Sequence, residues 1–182
     1  MRIPRLLAVL ALVAVAGLRP AAAQSATSVY TDLEPDACEI IYVDEETGDT
    51  SGRCPGMGGY ALIAHDSDAR VSLDVVSPGG AEWPLQYTEV ITSAFSSLGP
   101  RAEWRVRRQG GRNVPFALIV RVNAFEDPEN PSRATSYLAV ARISSSGACV
   151  TDRIRPSANA NTQARQAADR AANRPCLSGP PR

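Results

Sequence analysis

Four cysteines, Cys38, Cys54, Cys149 and Cys176, restrict the fold of this 182-residue chain more than any other feature. The count is even, and the cysteines follow a stretch that reads as an export leader, so an oxidising compartment and two disulfides are expected. The leader is MRIPRLLAVLALVAVAGLRPAAAQS. Arg2 and Arg5 form its positive start, residues 6–18 are apolar or small, and Ala21, Ala22 and Ala23 are the small residues a signal peptidase accepts. The apolar run is 13 residues long, short of the roughly 20 that a spanning helix needs. A signal peptide over 1–23 is therefore expected. It has no Arg-Arg pair, which favours the general secretory route. The mature chain is expected to be periplasmic or secreted from a Gram-negative bacterium, with no stable membrane insertion.

Three pairings of four cysteines exist. Proximity in sequence favours Cys38–Cys54 and Cys149–Cys176, each bracketing one unit. Zinc sites place cysteines two to four residues apart, whereas the nearest pair here has 15 residues between its members. His65 is the single histidine, and neither CxxC nor CxxCH occurs. The expectation is no metal and no cofactor.

RCPGMGGY, residues 53–60, has the glycines of a phosphate cradle but lacks GK[ST] and GxGxxG and leads into an apolar extended run. It reads as a turn: Pro55 fixes φ and the glycines admit positive φ. The acidic loop at 44–52 lacks the D-x-[DN]-x-[DN]-G order of a calcium loop and reads as a solvated turn.

Period-two patterns dominate the rest. EIIYV (39–43), residues 60–64 and residues 69–76 read as strands. HDSDA between the last two reads as a turn, and residues 81–100 fit either a strand or a short helix. Residues 102–108 and 113–122 form a hairpin about Gly110-Gly111. Ala102, Trp104 and Val106 share one face of its first arm, and Pro115 belongs at a bulge or strand start. Residues 136–144 and 148–154 read as further strands. From Pro156 the period becomes helical: alanines at 160, 164, 167, 168 and 171 make one stripe, with Pro175 as the stop. The expected fold is α+β. An antiparallel sheet of about five to seven strands carries one C-terminal helix, with residues 24–37 a flexible lead-in, 38–176 a single stapled domain, and 177–182 a disordered tail.

All 19 basic residues are arginine, so lysine chemistry is excluded. Residues 24–100 carry 13 acidic groups against two arginines, a net of −11; residues 101–182 carry 14 arginines against six acids, a net of +8. Five of those arginines fall in RAEWRVRRQGGR, 101–112. Arg105, Arg107 and Arg121, with Trp104 as an anchor if exposed, form the candidate contact surface for an anionic envelope component or an acidic protein; export argues against nucleic acid. The competing expectation pairs these arginines with the chain's own acidic half.

No catalytic motif stands out. His65 sits in HDSD, but its immediate neighbours on an extended chain point apart. A hydrolase would need His65 to meet a distant serine and carboxylate, or Glu82, Glu89 and Glu103 to supply a carboxylate pair. The leading expectation is a non-enzymatic binding module. A small hydrolase and a structural envelope protein are its rivals.

Overall fold

A computed structural model describes residues 25–179; residues 1–24, which hold the expected signal peptide, and residues 180–182 lie outside the described residues. Among the described residues the chain forms ten strands and one full-length helix. In chain order they are β1 (Thr27–Asp32), β2 (Glu39–Val43), β3 (Thr50–Cys54), β4 (Ala61–Ser67), β5 (Arg70–Val76) and β6 (Glu82–Pro84). There follow a single helical turn α1 (Tyr87–Val90), then β7 (Ser96–Gln109), β8 (Arg112–Ala124), β9 (Thr135–Ser144), β10 (Gly147–Ile154) and α2 (Ala160–Arg170).

The α+β class, the C-terminal helix and both disulfides are as expected. The strands divide into two antiparallel five-stranded sheets, β1-β7-β8-β9-β10 and β2-β3-β4-β5-β6. The division has a physical cause. The alternating strands offer two apolar faces, and one short alanine helix covers only part of one of them. The inner faces therefore cover each other, Leu62, Leu73 and Val75 of the second sheet meeting Trp104, Leu118, Val120 and Tyr137 of the first. On the outer face of the first sheet, Ala117, Ile119, Leu138 and Val140 receive Ala164, Ala167, Ala168 and Ala171. A stripe without branches lets α2 approach the strands closely, and the Cys149–Cys176 bond ties its end to β10.

The expected flexible lead-in over 24–37 is ordered in its described part. Thr27–Asp32 pairs along β7, from Thr27 opposite Val106 to Asp32 opposite Arg101, and Leu33 is buried. Alternating β-branched and aromatic side chains carry this strand in spite of its polar residues. At the other end, Leu177 donates its N–H to the Val150 carbonyl at 2.7 Å, so the chain stays anchored there beyond the disulfide.

The 102–122 hairpin forms with Gly110 and Gly111 at positive φ, and the register shifts between Arg105 and Val106, which face Ala117 and Pro115. The proline thus sits at a bulge. RCPGMGGY is the turn from β3 to β4. Gly58 and Gly59 hold positive φ, and a Cβ on Gly56 would run into the Tyr60 main chain. HDSDA is different from its expectation: β4 continues through His65 to Ser67, and the turn is the pair Asp68-Ala69, both at positive φ.

Candidate functional site

Of the candidate contact face, Trp104 and Arg105 are buried, and Arg107 and Arg121 are half-buried. Trp104 is fully buried and donates its indole N–H to Thr31 Oγ1 at 2.9 Å, so it is no surface anchor. Alternation puts Arg105 on the opposite face, under α2. Its fork grips Asp169, Nε to Oδ1 at 2.9 Å and Nη2 to Oδ2 at 3.0 Å, while Nη1 donates to Ser28 Oγ at 2.7 Å. Arg107 stacks over Phe116 at 3.8 Å, and Arg121 donates to Ser136 Oγ at 2.7 Å.

Nor do these arginines find the acidic half. Arg105 pairs with Asp169, Arg165 with Glu103 and Arg174 with Asp152, all within the basic half; Arg101–Asp32, at 3.7 Å and exposed, crosses between halves. The reason is topological. Most of the acidic half builds the second sheet, which packs on the inner face of the first, whereas Glu103, Arg105 and Arg165 lie on its outer side.

Glu103 is consumed in the same network. Arg165 Nε donates to its Oε1 at 2.7 Å, Ser28 donates a second hydrogen bond, and Arg165 also reaches the Tyr30 hydroxyl at 3.0 Å. Burial alone would push the Glu103 carboxyl up; the Arg165 hydrogen bond, the Ser28 hydroxyl and the Arg165 charge outweigh it and hold the group below its ordinary value. Glu82 lies on β6 and Glu89 on α1, whereas Glu103 is bound to Arg165 and Ser28.

Two features that the sequence does not mark as sites come together instead. EIIYV does form a strand, β2, but all five of its residues are exposed, Ile40 by 69%. β2 is an edge of its sheet, bonded on one side to β3 alone. The Cys38–Cys54 disulfide closes the base of this β2–β3 hairpin. β3 is itself paired with β4 along its whole length, so the ladder and the disulfide together hold the exposed apolar edge in strand form. Beside the base opens a cavity of about 480 Å³, whose walls include Leu33, Pro35, Ile40 and Leu98 together with Glu34 and Asp66. Ile40 belongs to both features. Carboxylates surround them: Glu39 begins the strand, and Asp44, Glu45, Glu46 and Asp49 fill its turn.

His65 also acquires partners that its neighbours could not provide. Ser51 on β3 stands 2.9 Å from Nδ1, and Asp74 on β5 stands 3.1 Å from Nε2. Among the described residues no group of three or more His, Cys, Asp or Glu side chains is arranged to hold a metal ion, and no helix is long and apolar enough to cross a membrane. What the fold defines is a two-sheet sandwich with one outer helix and one exposed apolar edge strand beside a disulfide. No family model, curated protein or solved structure matches the chain.

Proposed function

We propose that the mature protein is an exported binding module that captures an extended polypeptide segment along the free edge of β2. The observation that carries this reading is the exposure of Ile40, Ile41, Tyr42 and Val43 on a strand with one unpaired edge. Natural edge strands are usually shielded by charge, proline, a bulge that twists them away or a covering element. Here Glu39 at the start of the strand and the bulge at Ile41 are such devices, yet four apolar side chains remain in water. A partner strand would complete the main-chain ladder, and one of its apolar side chains would enter the cavity that Ile40 shares. The acidic rim selects a segment carrying arginine or lysine. This replaces the anionic partner that the arginine-rich hairpin suggests, because Arg105 is already committed to Asp169. Export rests on the leader, and two disulfides are compatible with it.

The test is selection of a displayed library of random ten-residue peptides on the oxidised mature protein. Enriched peptides are expected to alternate apolar and basic residues. They should bind the Ile40→Lys/Tyr42→Lys double variant at least tenfold more weakly, with its melting temperature unchanged because both side chains are exposed. Failure to enrich any sequence, or equal binding to the variant, overturns the reading. Concentration-dependent self-association abolished by the same variant would make a second copy the occupant and also overturn it.

A further inference from the structure

Ser51, His65 and Asp74 lie on three adjacent strands and share one face of the second sheet. Gly52 and Cys54 point the other way, Gly52 against Cys38 and Cys54 into the core. The register does the rest: Ser51 pairs with His65, and His65 pairs with Ser72, two residues before Asp74. From this geometry we infer that Ser51 is a nucleophile activated by a His65–Asp74 relay, and that the outer face of this sheet cleaves carboxylic esters.

The protons follow from the partners. An ionised aspartate can only accept, so in the neutral ring Nε2 must carry the hydrogen that Asp74 receives. Nδ1 is then the lone pair, and Ser51 must be the donor at 2.9 Å. A hydroxyl held against an imidazole lone pair, with the imidazole held by a carboxylate, is the arrangement that makes a serine nucleophilic. Here the serine faces Nδ1 and the carboxylate Nε2. The relay needs one partner on each nitrogen and works in either orientation. The sites differ in exposure in the useful direction, His65 keeping 39% of its side-chain surface in water and Asp74 13%. The base is reachable and its orienting group is sheltered.

A developing oxyanion needs a cation or dipole. The Arg53 side chain, two residues beyond Ser51 on the same face, makes no hydrogen bond or ion pair with another described residue. Across the ladder, β2 carries one extra residue, Ile41, between Ile40 opposite Gly52 and Tyr42 opposite Ser51. A bulge of this kind interrupts regular pairing beside the nucleophile. In the step, Ser51 Oγ bonds to the ester carbon while its proton moves to His65 Nδ1. The carbon–alkoxide bond breaks, and the alkoxide takes that proton. Water repeats the sequence on the acyl-serine, releasing the acid and restoring Ser51.

A reporter-bearing fluorophosphonate tests this directly. Ser51 Oγ would bond to phosphorus, fluoride would leave, and the proton would pass to His65. Wild-type oxidised protein is expected to take up one label, mapped to Ser51 by peptide mass. Labelling should vanish in Ser51→Ala, fall at least tenfold in His65→Gln, and be retained more fully in Asp74→Glu than in Asp74→Asn. p-Nitrophenyl acetate should show a matching order of rates. Wild-type protein that takes no label at Ser51 overturns the inference without any variant. So does labelling that persists unchanged in folded His65→Gln.

Discussion

Removing Asp169 should damage the protein more than removing the arginine it holds. The Arg105 side chain is 8% exposed and that of Asp169 is 40% exposed. Asp169→Ala leaves a guanidinium beneath α2 with Ser28 Oγ and the Ala26 carbonyl, at 2.7 and 3.4 Å, as remaining acceptors. Stranding one partner of a buried pair costs about 3–5 kcal/mol. The residual acceptors, and relief of a negative charge near the C-terminal end of a helix, place this case at the lower end, about 3 kcal/mol. For a domain of this size that lowers the melting temperature by about 6–12 °C. Arg105→Met keeps the stem that packs under the helix and leaves Asp169 free to be hydrated, so its cost is about 1 kcal/mol, that of a lost hydrogen-bonded partner. The double variant Arg105→Met/Asp169→Ala should then be more stable than Asp169→Ala alone. Urea and thermal unfolding of the oxidised protein, followed by circular dichroism, measure all three. An Arg105→Met variant less stable than Asp169→Ala, or a double variant no better than Asp169→Ala, would refute the idea that a buried unpaired cation is the costly state.

Two further outcomes follow from the same core. Glu103 is held below its ordinary value, so its stabilisation is complete above the unfolded carboxylate range and is lost as pH falls through the lower folded value. Stability measured against pH should show wild type ahead of Glu103→Gln near neutrality, with the gap closing in the acid limb; a pH-independent gap would contradict the ionised pair. The Tyr87 hydroxyl is fully buried without a hydrogen-bond partner, and burial pushes its ionisation far above the usual tyrosine value. Tyr87→Phe should therefore be at least as stable as wild type, because it removes a desolvated polar group that gains nothing. A loss above about 1 kcal/mol in denaturant unfolding would show that the hydroxyl has a partner.

The buried arginine network and the exposed hairpin reverse what composition suggests. Arg105 of an arginine-rich strand becomes the inside of a helix–sheet interface, and an apolar short segment of the acidic half stays in water. Both outcomes arise from which sheet each strand joins. Glu103, Arg105, Arg165 and Asp169 satisfy one another across β7 and α2, so their charges are spent holding the helix. β2 hangs from β3 alone, and no second layer reaches its side chains.

Local signals in the sequence determined the pieces whose partners lie nearby. Both disulfides join cysteines close in the chain, Gly110-Gly111 turns the long hairpin, and the alanine stripe at 160–171 specifies a helix that can lie close to a sheet. Alternation also placed Trp104 on a common face with Ala102 and Val106, although not that this face is the core. Tertiary structure alone decided the division into two sheets, the inward turn of Arg105, the exposure of EIIYV and the meeting of Ser51, His65 and Asp74. These depend on strand order and register between segments far apart. A one-residue slip in register turns every side chain of a strand to the other face, and no single segment carries the information that forbids it.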